Sequence, residues 1–219
     1  MRIRAPRDLT ALPYAHGLEP FAGEIEQAGG YEGVHFDGCA FRGAAGGSSW
    51  FSRSAFSSVT FERGRFRRSR FDEVWLHGVR MVGTDLAETT WLDSECVGGV
   101  LAGTELHSSE IRRTVFHQCK FDSVNLRAAT LKDVAFVDCL LRDVDFAGAT
   151  LTGVAFPGST LDGARLDGTK LSGVDLREAA ALGIASGIGS LSGATVGTAQ
   201  MLDLAPVLAH HVGLTVRDV

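Results

Sequence analysis

A large apolar residue recurs at every fifth position of this chain, and this period constrains the fold more than any other feature. From Tyr31 to Leu176, all thirty positions whose numbers end in 1 or 6 are apolar except Gly46, without insertion or deletion. The positions two residues earlier are small or β-branched, as at Val134 and Ala149. A period of five fits neither an α-helix, at about 3.6 residues per turn, nor a flat strand, at about two.

The spacing within each unit indicates how the chain must run. The large and small apolar positions are two residues apart, so they share a face as in a strand. The next unit must then turn a corner to bring its own pair inward, and the frequent Gly, Asp, Ser and Thr between them favour such corners. The pattern predicts a chain that coils around stacked Phe and Leu side chains.

The repeat resembles the pentapeptide-repeat family, whose unit is roughly small–Asp/Asn–Leu/Phe–Ser/Thr/Arg–Gly. Matching stretches are 149–153, 164–168 and 174–178, and the resemblance covers residues 31 to about 196. It implies an all-β fold, a right-handed quadrilateral parallel β-helix with four units per turn. About eight coils with a rise of ~4.8 Å would form a rod on the order of 40 Å long.

Changes in the repeat divide the chain into three parts. Residues 1–30 lack the period and are interpreted as an N-terminal cap or, alternatively, a solvated tail. Residues 31–197 carry the β-helix, in which residues 43–50 form either a bulging loop or a thin coil. The period weakens after Leu176 and returns at Leu191.

Residues 198–219 are predicted to form a short C-terminal helical cap. Pro206 would kink or restart the helix, and Gly213 would end it. In the gyrase-interacting branch of the family, a helix of this kind closes the last coil and builds a homodimer. The resemblance therefore implies a homodimer in which the contacts come from Met201, Leu202, Leu204, Val207 and Leu208.

Composition limits the classes of protein that need to be considered. The chain has 219 residues, 45% of them hydrophobic, and a net charge of −5, which suits one domain or two small ones with a packed core. The acidic balance argues against a general nucleic-acid binder, so we expect no direct nucleic-acid binding. There is no apolar run long enough to span a bilayer and no secretory signal pattern, so we expect no membrane association and a cytoplasmic location.

Motifs for catalysis or metal binding are weak. The stretch 163–170 resembles a phosphate loop but has Thr-Lys in the wrong order, and His210 and His211 are adjacent, which makes a poor metal pair. The four Cys lack zinc spacing. Cys119 and Cys139 would stack in adjacent coils within disulfide range, although a reduced pair fits a cytosolic core better. We expect no enzyme activity, cofactor or metal.

Charge is distributed unevenly along the chain. Residues 81–111 contain six acidic residues and no Lys or Arg, whereas the preceding part contains a cluster of five arginines. At twenty residues per coil, Asp85, Glu105, Asn125 and Asp145 would stack on one face. The arginine cluster consists of Arg63, Arg65, Arg67, Arg68 and Arg70.

A rod with a line of acids can imitate a DNA duplex, and the sequence is similar to the Qnr and MfpA types of the family. That resemblance implies a DNA mimic that binds DNA gyrase or another type II topoisomerase and protects it from inhibitors such as fluoroquinolones. The alternatives are a rigid scaffold for an unknown protein, favoured by the arginine cluster as a second face, and an enzyme. The candidate contacts on the acidic face are Asp85, Glu105 and Asp145, with Asp93 and Glu95 nearby.

Overall fold

Residues twenty apart in the sequence stack on each other, because four five-residue units complete one turn of the chain. The computed structural model describes residues 4–215 and 217. In it Phe36 pairs with Phe56 and Leu131 with Leu151, and every strand pairing is parallel. The structure is a four-sided β-solenoid of about eight turns with a single C-terminal helix, which confirms the predicted β-helix.

Three of the four sides are formed by short strands, which we call faces 1 to 3 in chain order. Face 1 contains the strands Gly30–Glu32, Trp50–Ser52, Arg70–Asp72, Thr90–Leu92, Glu110–Arg112, Thr130–Lys132, Thr150–Thr152 and Lys170–Ser172. Face 2 contains Glu19–Pro20, Val34–Asp37, Ala55–Ser57, Trp75–His77, Glu95–Val97, Val115–His117 and Ala135–Val137, and, further along, the pair Val174–Asp175 and Ala194–Thr195. Face 3 contains Ala40–Arg42, Thr60–Glu62, Arg80–Val82, Val100–Ala102, Lys120–Asp122, Leu140–Arg142, Thr160–Arg165 and Ala181–Ser186.

Face 4 is narrower and is held by single parallel bridges. These bridges join Ala45, Arg65, Asp85, Glu105, Asn125, Asp145 and Arg165 in one column. The residue after each bridge points inward, as Phe66 and Leu126 do, and both are buried. The residues in the bridging column therefore point outward. Consecutive members of the column are about 4.8 Å apart, which is the spacing of adjacent strands.

The core is a set of stacked inward side chains. The rings of Phe36 and Phe56 are 4.5 Å apart, and Trp91 stacks on Phe71 at 4.0 Å. The four cysteines are free, and the sulfur of Cys119 lies 3.7 Å from that of Cys96. Burial is among the causes that raise the pKa of the Cys119 thiol, which is the behaviour of a small core residue rather than a reactive one.

The N-terminal residues close one end of the rod and fold back along face 2. Glu19 and Pro20 add a strand beside Val34, and Ile25 is buried in the core where Gly46 provides no side chain. Residues 43–50 stay in register as a coil: Gly43 donates its N–H to the carbonyl of Glu62 at 2.8 Å. They do not form a bulging loop.

One extra residue before Ala181, offset by one residue fewer before Ala194, explains why the period weakens after Leu176. Leu161 pairs with Leu182, 21 residues on, and the 20-residue register returns where Val174 pairs with Ala194.

In the described part of the chain, three short 3-10 helices cover Leu9–Ala11, Ala15–Gly17 and Ile188–Leu191. The α-helix α1 covers Thr198–His211, with Pro206 inside it. The amide of Gln200 donates to the carbonyls of Arg177 and Ala179, which ties α1 to the last coils.

Candidate functional site

The acidic column lies on face 4, where the parallel bridges place Asp85, Glu105, Asn125 and Asp145 in successive coils. Asn125 donates to Glu105 Oε2 at 2.6 Å, which orients that carboxylate along the column. Asp85 and Asp145 each accept the N–H of the residue two places on, at 3.0 and 2.9 Å. All four side chains are partly exposed, so the column is a solvent-facing row.

Basic residues lie at both ends of this column on the same face. Arg65 precedes Asp85, Arg165 follows Asp145, and Arg127 Nη1 donates to Asp145 at 3.1 Å. Among the residues that the structure describes, Asp85 and Glu105 form no ion pair with a basic side chain. The uncompensated negative charge of the column is therefore concentrated at these two positions.

Asp93 and Glu95 do not join the column. Asp93 lies at the corner between faces 1 and 2 and accepts two hydrogen bonds from Arg113, at 2.6 and 2.7 Å. Glu95 lies on face 2, is 6% exposed, and accepts the backbone N–H of Arg7 at 2.8 Å and its Nε at 2.5 Å. The five candidate acids are thus divided among three parts of the surface.

The arginine cluster forms a band around a single coil. Arg63 lies at the corner of faces 3 and 4, Arg65 and Arg67 on face 4, Arg68 at the next corner, and Arg70 on face 1. Glu88, in the following coil, accepts hydrogen bonds from Arg67 and Arg68, and these bonds hold the pKa of its carboxyl at about 2. Arg70 donates to Asp72 at 3.1 Å.

The helix α1 separates the predicted dimer residues into two groups. Leu204 is 2% exposed, and Val207 and Leu208 pack against the core, so these three close the last coil. Met201 and Leu202 point outward and are 48% and 70% exposed. Only this second group is available to a partner.

A feature that sequence reasoning missed is the N-terminal strap, residues 4–18, which crosses the outside of face 2. Leu12 is buried against Ala55 and Trp75, and the indole N–H of Trp75 donates to the carbonyl of Arg7 at 3.1 Å. The signal in the sequence that could have indicated the strap was the presence of apolar residues at outward positions of face 2. The strap has no repeat of its own, so periodicity could not assign its place.

No catalytic or metal-binding arrangement stands out. In residues 4–215, no group of three or more His, Cys, Asp and Glu side chains is placed to hold a metal ion. A cavity of about 300 Å³ lies beside the strap, and its charged lining includes the ion pairs Arg7–Glu95 and Arg113–Asp93. No helix in the described part of the chain is long and apolar enough to cross a membrane.

A parallel β-helix that fills its interior with side chains and presents long flat faces is a repeat scaffold, which acts through its surface. The sequence model described as "Pentapeptide repeat region" matches residues 89–166. This stretch therefore belongs to the pentapeptide-repeat family, and the same unit continues in register on both sides of it. The fold supports a protein-binding repeat scaffold.

The chain is also similar to solved pentapeptide-repeat structures at low identity. A trypsin-treated variant of QnrB1, a plasmid-mediated fluoroquinolone resistance protein, is 16% identical over 84% of this chain and 99% of its own, with a TM-score of 0.42. HetL, involved in heterocyst differentiation regulation in Nostoc sp. strain PCC 7120, is 18% identical over 80% and 92%, with a TM-score of 0.36. No curated protein matches the sequence significantly.

Proposed function

We propose that the protein binds the DNA-binding surface of DNA gyrase or another type II topoisomerase, and so protects that enzyme from inhibitors such as fluoroquinolones. The observation that carries the proposal is the column on face 4, in which Asp85, Glu105 and Asp145 point the same way from a rigid rod. A surface that binds DNA is basic, and a row of fixed carboxylates complements it. The proposal places the protein in the cytoplasm with its target.

The spacing of the column sets the expected strength of this interaction. Carboxylates in adjacent coils are about 4.8 Å apart, whereas the phosphates of one DNA strand recur about every 3.4 Å along the axis. The column is therefore a sparse imitation of one strand, and Asn125 leaves one position uncharged. We expect charge to steer the association, so binding should weaken steeply as salt is added.

The proposal is tested by a supercoiling assay with purified protein, with and without a fluoroquinolone, at two salt concentrations. We expect salt-sensitive inhibition of supercoiling, or rescue from the drug, at micromolar protein. The triple variant Asp85→Lys, Glu105→Lys, Asp145→Lys should abolish both effects. The variant Asp85→Asn, Glu105→Gln, Asp145→Asn keeps the acceptor oxygens and should show the same loss without a change in melting temperature.

The matched control reverses the same number of charges elsewhere on the rod. Asp37, Asp122 and Asp138 are exposed and lie outside face 4, so their replacement by Lys changes the net charge equally. We expect this control to retain most of the activity of the unmodified protein. Equal loss in both triple variants, or gyrase binding that survives reversal of the column, would refute the role of face 4.

We also propose that the protein acts as a homodimer joined through the outer side of α1. Exposed Met201 and Leu202 support this contact, whereas Leu204, Val207 and Leu208 serve it indirectly by holding the helix on the core. Leu202→Glu should shift the sedimentation of the protein from dimer to monomer, and His210→Glu, at an exposed polar position of the same helix, should not. A monomer at micromolar concentration in the unmodified protein contradicts the proposal.

A second candidate function is a scaffold for a different protein partner. The specific observation in its favour is the arginine band, because a duplex mimic has no use for positive charge beside its acids. Absence of any effect on gyrase at high micromolar protein would favour this candidate.

A further inference from the structure

The arginine band has an excess of positive charge that its neighbours do not neutralise. Among the described residues, Arg63 and Arg65 form no ion pair, and Arg67 and Arg68 share the single carboxylate of Glu88. Arg70 is offset by Asp72, and Asp85 is the neighbour of Arg65 in the next coil, so five positive charges face three negative ones, which leaves an excess of +2. The overall charge of −5 hides this local excess, and a basic patch on one face matters more for polyanion binding than the total.

An exposed tryptophan lies next to this band. Trp50 pairs in register with Arg70 on face 1 and is 40% exposed, whereas Trp75 lies under the strap and Trp91 points into the core. Two residues before Trp50, Ser48 donates its N–H to the carbonyl of Arg67 at 2.8 Å, so the corner that precedes Trp50 stacks directly on the corner that carries Arg67 and Arg68.

The indole of Trp50 approaches the preceding coil. Its neighbour there is Gly30, and a Cβ built on Gly30 would be 3.7 Å from Cε3 of the indole. Gly30 has no side chain to cover the ring, and 40% of Trp50 is exposed to solvent. An open aromatic face beside several guanidinium groups is the combination that binds unpaired bases and the phosphates next to them.

We propose that the band Arg63, Arg65, Arg67 and Arg68, together with Trp50, binds a short stretch of single-stranded nucleic acid. The guanidinium groups bind successive phosphates, and one base stacks on the indole of Trp50. Asp85, Glu88 and Glu105 lie in the next two coils of the same side, so a strand that ran along the rod would be repelled. The strand therefore crosses the rod around one coil, from face 4 to face 1.

The aromatic contact distinguishes this ligand from other polyanions. An acidic peptide would use the arginines equally well but has no base to place on Trp50. A duplex would need an element that enters a groove, and the flat faces of the rod offer none. This inference stands independently of the proposed action on gyrase, because it uses different residues and a different ligand.

The test measures fluorescence anisotropy of labelled oligothymidylate and oligouridylate of about 12 nucleotides, titrated with the full-length protein at several salt concentrations. We expect binding of both strands, with a slope of log K against log salt of about −3 for four phosphate contacts. Trp50→Ala should weaken binding roughly 5- to 100-fold, the range for loss of one stacked base, and Trp50→Phe should recover most of it.

Arg63→Ala and Arg65→Ala should each reduce the salt slope by about 0.7, and neither leaves an acid without its partner. Lys132→Ala, at an exposed site on face 1 four coils beyond Ser52, serves as the matched control and should bind like the unmodified protein. Polyglutamate of equal charge should compete poorly. The proposal would be overturned if the Trp50→Ala variant bound the oligonucleotides with the affinity of the unmodified protein. It would also be overturned if polyglutamate competed as well as unlabelled oligothymidylate.

The variants also separate this inference from the proposed function. The triple variant Asp85→Asn, Glu105→Gln, Asp145→Asn should lose its effect on gyrase and still bind the oligonucleotides. Conversely, Trp50→Ala should leave the salt-sensitive effect on supercoiling in place. Loss of both activities in one of these variants, with an unchanged melting temperature, would contradict the assignment of two separate surfaces.

Discussion

At the scale of single residues, the corners of the coil carry a backbone cost. The last residue of most units has a positive φ, and many of these residues are not glycine: Ala128 has a φ of 54° and Ser123 one of 54°. A left-handed conformation costs an L-residue roughly 1–2 kcal/mol. The four-sided coil forms nevertheless, because each unit buries a large and a small apolar side chain and continues the parallel hydrogen bonding.

This cost predicts opposite effects of one substitution at two adjacent alanines. Ala128→Gly should raise the free energy of unfolding by up to about 1 kcal/mol, because relief of the left-handed strain exceeds the extra entropy of the unfolded chain. Ala129→Gly should lower it, since Ala129 is buried and has no positive φ. Urea denaturation of both variants checks the prediction, which fails if the two changes have the same sign.

Gly46 is the single interruption of the apolar series, and restoring a side chain there should be harmful. A Cβ on Gly46 would be 2.4 Å from Cε1 of Phe66 and 2.8 Å from Cγ2 of Ile25. Gly46→Ala should therefore cost about 1–3 kcal/mol of stability through overpacking. At the neighbouring Gly47, a Cβ would be 3.5 Å from the carbonyl oxygen of Arg67, so Gly47→Ala is the control and should cost clearly less.

At the scale of elements, the strap ties together three coils that otherwise contact only their neighbours. Leu12 covers Ala55 and Trp75, and Arg7 reaches Glu95, so the strap spans coils that are 40 residues apart in sequence. Repeat rods gain stability mainly from adjacent units. A segment that crosses several units adds contacts of longer range and should make that part of the rod unfold together.

The pair Arg7–Glu95 is the contact that holds the strap at its far end. Arg7→Ala should lower the free energy of unfolding by about 1–3 kcal/mol, because it leaves the buried carboxylate of Glu95 without its charged partner and with only the backbone N–H of residue 7. Glu95→Gln in the same background should recover part of the loss, since a neutral amide costs less to bury. Arg53→Ala, which breaks the exposed pair with Glu32, is the control and should change stability by less than about 1 kcal/mol. If Arg7→Ala changed the free energy of unfolding in urea as little as Arg53→Ala does, the strap would be held by Leu12 and not by the pair Arg7–Glu95.

At the scale of the whole molecule, the rod is a finite stack whose two ends must be closed. An open last coil would present unpaired strand edges and the apolar interior to other molecules. The strand Glu19–Pro20 with Ile25 closes one end, and α1 closes the other. Between them the surface charge divides into a basic band, an acidic column and a mixed remainder, so one rigid body presents distinct sites at fixed distances.

Closure of the C-terminal end depends on the inner side of α1. Leu204→Ala should cost about 2–4 kcal/mol of stability and increase aggregation, because Leu204 is buried against the last coil. Leu202→Ala, two residues away on the outer side, should change the stability of the monomer by less than about 0.5 kcal/mol. Thermal unfolding with light scattering checks both, and equal effects would mean that the helix is docked differently.

The period of five by itself determined that the chain coils around stacked Phe and Leu side chains. With the four units per turn that the family resemblance implies, it also placed Asp85, Glu105, Asn125 and Asp145 in one column. A strict repeat converts sequence distance into position, so any residue inside it can be located from its number. Only the tertiary structure decided which of these charges remain unpaired, that Glu95 lies buried under Arg7, and that Leu204 and Leu202 face opposite ways. The first outcome depends on side-chain conformations within the repeat. The other two depend on the non-repeating ends, residues 4–29 and 198–211, which fold back on the rod through contacts distant in sequence that no period records.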